Sequence, residues 1–533
     1  MPVENNQPTA IRKERPHVPS ARASNKKTAN KKSASANAAK SDTTASKVHV
    51  SQPALDRLKR ELSGYVLLPG TPEYVQAVQI DNGRVQQQPT VIVQASGEKD
   101  VVTTLRFTQQ QGLKLTVLGG GHSATGYCLN TGGVVLDMSL MKAMTLDAKQ
   151  RTLRVQMGAL WSDVYAYMMN SGTGLIPVGG GCLTVGVPGF VQGGGFSFAS
   201  RSYGISADNL LSLNIVTADG ELRRLSEASK SKEEIHLFWA LRGGGGGNFG
   251  VVTEMELRVH KPNSEKMFLA QIRYPVALAQ DVIGFYNEWV ETLPNEMAVY
   301  GIWGPSAVPG NPSKTETTFG FTVIYNGEFA AGLKLVEPIL KRNPVYANLN
   351  HMTLPAYEEM VGLTTSVKGR SAYIRAGVMP PLSLTSKAIK VLEEYMGNRP
   401  SQSSFMVWTH LGGKVAEVSP TATAFPHRNA RFVPELKAIW DTPQQARANI
   451  EWGFKFYQDL EPFFTGSYVN YIDPLLSDWQ HKYYEQNYKR LLEVKRHWDP
   501  KNFFHFQQSI GSKFEPNTSQ PLDLSPLNRT FVD

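Results

Sequence analysis

Two side chains, each bracketed by glycines, are the first candidates for chemistry in this sequence. His122 follows Gly119, Gly120 and Gly121 in the stretch VLGGGHSATGY. Successive glycine amides at the end of an apolar strand are open to a ligand and can form an anion-binding nest. The pattern fits either a tight turn with a surface histidine or a loop that holds an imidazole beside a phosphate-bearing ligand.

The second candidate is Cys182, in the stretch GGGCLTVGVPGFVQGGGFSF. So many glycines around one thiol are atypical of a core strand and indicate main chain packed closely against a flat ligand. The chain has one other cysteine, Cys128, and two cysteines in 533 residues argue against a disulfide framework or a structural zinc site. A bridge between the two thiols is conceivable from the sequence.

Together, GGGHS, GGGCLTVG and the following GGG resemble the bicovalent flavoproteins of the vanillyl-alcohol oxidase superfamily, specifically the berberine-bridge-enzyme-like oxidases. In that family a histidine and a cysteine both bond to one FAD. The resemblance therefore implies FAD attached covalently through His122 and Cys182, which excludes the disulfide. Two further motifs occur in the family's order, RGGGGGNFG at residues 242–250 and GSYVNYIDP at residues 466–474.

The resemblance assigns the cofactor contacts to the glycine loops and to the terminal motif. They are His122, Cys182, Gly119, Gly120, Gly121, Ser123, Gly186, Gly193, Gly194, Asn248, Gly250 and Asn470. No glycine loop has the GK[ST] ending of a P-loop, and no GxGxxG lies in a βαβ unit, so a Rossmann site is not predicted. Pro188 and Phe190 stand where many members have glycine and histidine, and a proline removes a backbone donor.

Oxidation of an alcohol requires a group that removes the hydroxyl proton. Berberine bridge enzyme uses a glutamate a few residues before an FPHR-like segment. Here the corresponding position is interpreted as Ala422, which predicts that this base is missing. Other members use a tyrosine of the YxNY motif, so the resemblance predicts Tyr471 as base and Tyr468 as a substrate or flavin contact.

A phenol has a pKa of about 10 and needs a partner that lowers it to act as a base near neutrality. Lys414, His410 and Asp473 are the candidates for this tuning. Period-two alternation puts Met406, Trp408 and His410 on one side of the strand SFMVWTHLGG. That side either lines a substrate pocket or faces the core, the usual place for such residues. Trp408, His410 and Lys414 are the predicted substrate contacts.

The residue three positions after the cysteine is Val185. In the family, valine or a smaller residue here is typical of oxidases, and leucine is typical of dehydrogenases. The predicted function is an FAD-dependent oxidase that moves a hydride from a C–H next to a hydroxyl onto flavin N5 and passes the electrons to dioxygen, giving hydrogen peroxide. A sugar or oligosaccharide is the favoured substrate. The alternative is an oxidase or dehydrogenase of a bulky natural-product alcohol.

Composition and charge limit the other functional classes to which the protein could belong. The chain is 41% hydrophobic and 19% charged, values typical of a soluble globular protein. Residues 1–47 hold ten Lys or Arg and three acidic residues, so they carry +7 of the net charge of +9. This segment lacks apolar periodicity and is predicted to be disordered. A solubilising tail is the favoured interpretation of this segment. The alternative, from another class of function, is a non-catalytic flavin-binding protein that uses the segment as a nucleic-acid-binding arm.

No apolar run long enough for a secretory signal or a membrane span occurs in the sequence, which favours a cytoplasmic protein without integral membrane association. The expected partners are a small-molecule substrate and dioxygen, with no metal. The sequence does not specify an oligomeric state.

The elements that position these residues follow from hydrophobic periodicity. Residues 89–118 predict a strand, a helix and a strand that delivers the GGGHS loop, and ADG at residues 218–220 predicts a hairpin turn. Residues 263–478 alternate strands and helices, which is typical of a mainly antiparallel sheet covered by helices on one face. The open face is expected to cover the flavin. A helix is predicted over residues 484–497.

The predicted fold class is therefore α+β, with a two-part FAD-binding domain of the vanillyl-alcohol oxidase type and a substrate domain. The predicted boundaries are a disordered leader at 1–47, an FAD-binding domain at 48–262, a substrate-binding domain at 263–478, a segment at 479–515 that completes the FAD-binding domain, and a tail at 516–533.

Overall fold

The computed structural model describes residues 50–308, 311–356 and 369–518, with the side chains of residues 307, 308 and 311–314 excepted. The predicted leader and residues 519–533 of the predicted tail lie outside the described residues. The helices are α1 (Gln52–Glu61), α2 (Pro72–Ala77), α3 (Glu98–Gln110), α4 (Trp161–Asn170), α5 (Val187–Gln192), α6 (Ser200–Tyr203), α7 (Lys232–Ala240), α8 (Ala279–Trp289), α9 (Phe329–Leu340), α10 (Ser386–Gly397), α11 (Ala446–Leu460), α12 (Trp479–Tyr484) and α13 (Tyr488–Trp498).

Strands form three sheets. They are β1 (Tyr65–Leu67), β2 (Val91–Gln94), β3 (Leu115–Leu118), β4 (Val134–Asp137), β5 (Met144–Asp147), β6 (Thr152–Gln156), β7 (Leu210–Thr217), β8 (Leu222–Ser226), β9 (Gly250–Arg258), β10 (Met267–Pro275), β11 (Met297–Val308), β12 (Asn311–Tyr325), β13 (Tyr346–Met352), β14 (Ser371–Ala376), β15 (Phe405–His410) and β16 (Phe432–Trp440). This mixture of helices with largely antiparallel sheets confirms the α+β prediction.

A four-stranded sheet carries the first glycine loop. Its order is β1-β2-β4-β3, and β2, β4 and β3 run parallel. Strand β2 is a continuous buried run, as expected for a parallel strand covered on both faces. Helix α3 connects β2 to β3 and buries Val101 and Leu105, which lie one helical turn apart. The predicted strand, helix and strand are therefore present, and β3 ends directly before Gly119.

A five-stranded antiparallel sheet with the order β5-β6-β9-β7-β8 follows. Strands β7 and β8 pair as a hairpin, and Gly220 in the turn has φ 80°, a left-handed conformation that glycine adopts without a Cβ penalty. The predicted turn at residues 218–220 is thus confirmed. Strand β9 lies at the centre of this sheet and begins at Gly250, so the RGGGGGNFG loop leads straight into it.

The seven-stranded sheet has the order β13-β10-β12-β11-β15-β16-β14, with every neighbouring pair antiparallel. One face buries apolar side chains in a core with α8, α9, α10 and α11. Trp303, Trp408 and Trp440 are fully buried in that core. The opposite face is free of these helices and lines a large cavity, which agrees with the expected open face.

Strand β16 is an element that the sequence analysis did not predict. Its sequence is FVPELKAIW, and Pro434 near its centre argues against an internal strand because proline cannot donate to the ladder. The strand is nevertheless internal, between β15 and β14. Alternation along β16 places Glu435 and Lys437 on the open face, and Leu436 and Trp440 in the core.

The C-terminal part begins its last helix later than predicted. Helix α13 starts at Tyr488, whereas the prediction was residues 484–497. The chain breaks first at Glu485, whose φ of 45° is incompatible with a continuous right-handed helix. This break separates α12 from α13 and lets the Tyr484 hydroxyl donate to the carbonyl of Gly244, in the third glycine loop. Among the described residues, no helix has both the length and the apolar run needed to cross a membrane.

Candidate active site

A single cavity of about 930 Å³ brings the predicted motifs together. The glycine loops line one side, and the open face of the seven-stranded sheet lines the other. The predicted residues in its wall are Gly119, Gly120, Gly121, His122, Ser123, Cys182, Val185, Gly186, Asn248, Gly250, Tyr468, Asn470 and Tyr471. Residues that are far apart in the sequence therefore meet around one space.

Contact between two backbone segments explains why the loop at residues 119–121 and the loop that contains Gly186 need glycine. A Cβ on Gly120 would lie 2.1 Å from the nitrogen of Gly186, and a Cβ on Gly186 would lie 2.4 Å from the nitrogen of Gly120. The two loops therefore pack main chain against main chain, closer than any side chain permits. Gly186 is also the N-cap of α5, so this contact fixes where the helix begins.

His122 and Cys182 lie close together beside one hydroxyl group. The Thr184 Oγ1 is 2.8 Å from His122 Nε2 and 3.6 Å from Cys182 Sγ. Burial lowers the pKa of His122, Asp81 opposes this decrease, and Lys437 adds to it. The imidazole is consequently neutral at neutral pH and keeps a lone pair. The resemblance predicted that both residues bind one FAD, and the fold makes them neighbours.

The two departures from the family pattern, Pro188 and Phe190, lie in α5. Pro188 is in the first turn of this helix, where its missing N–H has no intrahelical partner to lose. Its ring packs on Gly119, where a Cβ would lie 2.9 Å from the proline Cγ. Phe190 stands edge-on to Trp161 at 5.3 Å. Both residues fit this wall without interrupting it.

The third loop, residues 243–247, is held by Asn248. The side chain of Asn248 is buried, and its Nδ2 donates to the carbonyls of Gly244, Gly245 and Gly246. Its Oδ1 accepts from the backbone amide of Ile510. Its own carbonyl accepts a 2.7 Å hydrogen bond from Lys495.

The DPKNFF segment supports the same loop from behind. Lys495 pairs with Asp499 at 2.7 Å, and Asp499 accepts from the amides of Phe503 and Phe504. The RGGGGGNFG loop and the DPKNFF segment thus form one structural unit beside the cavity.

Tyr468 and Asn470 connect the YVNY segment to the second glycine stretch. The Tyr468 hydroxyl accepts from the Gly195 amide and from Asn470 Nδ2, each at 2.8 Å. Burial raises the pKa of Tyr468 above its ordinary value. Gly193 and Gly194, predicted as cofactor contacts, lie outside the cavity lining. A Cβ on Gly193 would lie 1.9 Å from Asn470 Oδ1, so this glycine makes room for a residue that does line the cavity.

The structure adds two charged groups that the sequence analysis missed, Glu435 and Lys437. Both are buried and line the cavity, and they form an ion pair at 3.2 Å. Tyr471 lies beside Glu435, and burial together with this carboxylate raises the pKa of Tyr471 well above its usual value. Period-two alternation in FVPELKAIW was the signal that could have revealed them, but Pro434 concealed the strand.

Ala422 was taken as the position of a missing carboxylate base, and Glu435 of β16 brings a different carboxylate into the cavity wall. The structure corrects the predicted tuning residues. Asp473 forms a buried ion pair with Arg375 at 2.6 Å, and its other oxygen accepts from Tyr373. The group beside Tyr471 is Glu435, which raises its pKa instead of lowering it.

Trp408, His410 and Lys414 do not line the cavity, which corrects the predicted substrate contacts. Strand β15 turns Trp408 into the helix-covered core, where it packs on Gly301. His410 is fully buried, accepts from the Val299 amide and lies 3.1 Å from Arg201 Nη1. Lys414 is exposed and pairs with Glu417. The alternate residues of β15 face the cavity: Phe405, Val407 and Thr409.

A buried ion pair fixes the FPHR segment against the turn after the second glycine stretch. Arg428 donates to both carboxylate oxygens of Asp208 at 2.7 Å. We expect Arg428→Gln to destabilise the protein by about 3–5 kcal/mol, because it leaves a buried carboxylate without its partner. The exposed pair of Arg447 and Glu451 provides the matched control, for which Arg447→Gln should cost less than about 1 kcal/mol. Denaturant unfolding measures both, and equal effects would contradict the structural role of Arg428.

The residues present fit FAD. The cavity volume is at the upper end of the range for cofactor sites, and glycine backbone forms much of one wall. The nearest atom to a Cβ placed on Gly246 is Gln192 Nε2 at 3.8 Å, so this loop offers main chain to a ligand. Within the described ranges, no group of three or more His, Cys, Asp or Glu side chains is arranged to bind a metal ion.

Comparison with known proteins points in the same direction. A family model described as FAD binding domain matches residues 89–226, and a model described as Berberine and berberine like matches residues 467–511. The uncharacterized FAD-linked oxidoreductase YgaK of Bacillus subtilis is 27% identical over 454 residues, covering 85% of this chain and 98% of that protein. Reticuline oxidase of Papaver somniferum is 26% identical over 474 residues, covering 80% and 85%.

Among solved structures, the wild-type BBE-like 1 of Physcomitrella patens superimposes with a TM-score of 0.78 at 24% identity. The match covers 86% of this chain and 100% of that chain. At this identity the likeness establishes the fold alone.

Proposed function

Because this chain belongs to the berberine-bridge-enzyme-like family of FAD-linked oxidoreductases, we propose that it is an oxidase of a CH–OH group. In the reaction, the alcohol and dioxygen become a carbonyl compound and hydrogen peroxide. FAD, when bound, would supply the two-electron acceptor between the alcohol and dioxygen. The observation that carries the proposal is that Tyr471 and Glu435 lie beside each other in the cavity wall.

His122 and Cys182 are the residues that we propose to hold FAD covalently. The support is their shared contact with Thr184, since a cofactor attached at two points of one ring system needs two nucleophiles side by side. The neutral imidazole favoured by burial is the nucleophilic form of the histidine. The glycine loops and Asn248 would hold the rest of the cofactor through main-chain groups.

Tyr471 and Glu435 remove the substrate proton in this proposal. A phenol with a raised pKa is a weak base on its own. The neighbouring Glu435 resolves this difficulty, because Tyr471 can accept the substrate's hydroxyl proton while it passes its own proton to the carboxylate. Lys437, 3.2 Å from Glu435, stabilises the carboxylate charge before the transfer. Tyr468 is proposed as a contact to substrate or flavin.

A polar wall with aromatic patches supports a sugar or oligosaccharide as substrate. Gln271, Thr322, Ser403 and Thr409 line the sheet side of the cavity and can hydrogen-bond sugar hydroxyls. Tyr300 also lines it and stacks on Phe198 at 4.0 Å. Aromatic faces suit the apolar side of a sugar ring. Val185 also lines the cavity, and the family pattern at this position favours dioxygen as acceptor.

A bulky natural-product alcohol is the second candidate. The apolar residues between the polar ones favour it, because they offer a surface to a large hydrocarbon skeleton. These residues are Ile302, Ile374, Val407 and Ile439.

The first test is the mass and absorbance of the purified protein after acid denaturation. We expect flavin to remain with the polypeptide in the wild type and in the single variants His122→Ala and Cys182→Ala, because one tether suffices to retain it. The double variant should release all flavin. Retention by the double variant would contradict the tether assignment. A peroxide-coupled screen of sugars and alcohols, with oxygen consumption matched to product, then tests the oxidase reaction.

A further inference from the structure

The imidazole of His122 is contacted on both nitrogens by side chains that the family resemblance does not assign. Thr184 Oγ1 lies 2.8 Å from Nε2, which is hydrogen-bond distance. Asp81 Oδ2 lies 3.7 Å from Nδ1, within ion-pair range but too long for a hydrogen bond. Asp81, His122 and Cys182 all line the cavity, so both contacts are at the predicted attachment site.

Backbone hydrogen bonds fix Asp81 in this place. Its amide donates to the carbonyl of Gly121 at 3.0 Å, directly before His122, and its carbonyl accepts from the Gly369 amide at 2.8 Å. The neighbouring Asn82 is buried and bonds to Ala124 and to both main-chain groups of Ala372. Asp81 is therefore held between the histidine loop and the edge of the seven-stranded sheet.

We propose that Asp81 and Thr184 are positioning residues for the attachment of FAD to His122. This inference rests on the proposed covalent tether. Thr184 accepts the Nε2 proton and so fixes the tautomer in which Nδ1 carries the lone pair. Asp81 stabilises the positive charge that the ring acquires when Nδ1 forms a bond to carbon. Thr184 also contacts the thiol of Cys182, so one hydroxyl orders both nucleophiles.

The attachment balances with dioxygen as oxidant. One imidazole N–H bond and one C–H bond of the flavin break, one N–C bond forms, and the two hydrogens leave with two electrons to convert dioxygen into hydrogen peroxide. The imidazole must be neutral to attack, and its lowered pKa favours that form. Asp81 and Lys437 are the charged groups that act on the ring, and they act in opposite directions.

The test isolates the histidine by working in the Cys182→Ala protein. FAD is added to flavin-free full-length protein, and the covalent fraction is followed by intact mass and by acid-released flavin. We expect Thr184→Val to slow attachment about tenfold, because it removes a hydrogen bond to the reacting ring. Thr184→Ser should restore the rate. We expect Asp81→Asn to slow attachment by at least about tenfold, with total bound FAD unchanged.

The outcomes separate this inference from the proposed function. If Cys182→Ala itself never forms covalent flavin, the histidine tether is wrong, and the positioning roles fail with it. If Cys182→Ala forms the bond and both Thr184→Val and Asp81→Asn form it at the same rate, the positioning roles are overturned while the tether stands. Slow attachment in Thr184→Val without recovery in Thr184→Ser would reject the role of the hydroxyl.

Discussion

Replacing Glu435 by glutamine is expected to slow substrate-dependent flavin reduction by about 10²–10⁴-fold, the usual contribution of a general base. Glutamine keeps the size of the side chain and an oxygen that can accept from Tyr471, but it cannot take up the proton. The cavity should therefore keep its shape, and FAD binding should not change. The measurement is the anaerobic rate at which the flavin absorbance is bleached after mixing with substrate.

Tyr471→Phe is expected to slow the same step by a similar factor, because it removes the group that contacts the substrate proton. The two residues act as one unit, so the double variant should be little slower than either single variant. The pKa of Tyr471 is raised well above its usual value by burial and by Glu435, so the phenol stays protonated through neutral pH. The rate should consequently show no ionisation of this tyrosine below pH about 10.

Glu451→Gln is the control, because Glu451 is a partly exposed carboxylate outside the cavity lining whose only described ion pair is with Arg447 on helix α11. It should reduce its flavin at the wild-type rate. Wild-type reduction in Glu435→Gln would instead remove the carboxylate from the mechanism. Slow reduction in Glu435→Gln with normal reduction in Tyr471→Phe would mean that Glu435 takes the substrate proton directly.

The motifs with unusual composition were predictable from the sequence, because glycine runs have few structural uses. The glycine-rich sequences around Gly120, His122 and Cys182 indicated main chain packed against a flat ligand. The fold brings these three residues to one cavity. The distance between His122 and Cys182 could not be predicted from the sequence. The sharing of Thr184 by His122 and Cys182 depends on the contact of two loops that lie far apart in sequence.

The period-two alternation of side chains along strand β15 predicted which residues share a face of the sheet. It did not predict which of the two faces meets the ligand. Met406, Trp408 and His410 do lie on one side of β15, as predicted, but that side is the core. The choice depends on which face α8 and α11 cover, a tertiary fact outside the strand itself. Strand β16 was not predicted for a different reason. Pro434 breaks the local strand pattern, and pairing with the neighbouring strands overrides this local preference.

Gly186→Ala is expected to weaken FAD binding roughly ten- to hundred-fold, through strain of about 1–3 kcal/mol or more in the wall of the cavity. The backbone of Gly186 has φ −72° and ψ 136°, which alanine adopts freely, so conformational preference contributes nothing. The cause is contact alone. The new methyl group would lie 2.4 Å from the nitrogen and 2.8 Å from the Cα of Gly120, and main chain cannot rotate away as a side chain can.

Gly284→Ala is the matched control, because Gly284 lies inside helix α8 and outside the cavity lining. Nothing lies within 4 Å of a Cβ at this position, and alanine should stabilise the helix by about 0.5–1 kcal/mol. The ratio of flavin to protein absorbance should therefore fall in Gly186→Ala and stay at the wild-type value in Gly284→Ala. Equal losses would mean that the contact with Gly120 is not the cause, whereas full flavin in Gly186→Ala would mean that the two loops can separate without disturbing the cofactor. The predicted difference between two identical substitutions thus tests whether main-chain contact between the histidine and cysteine loops builds the flavin site.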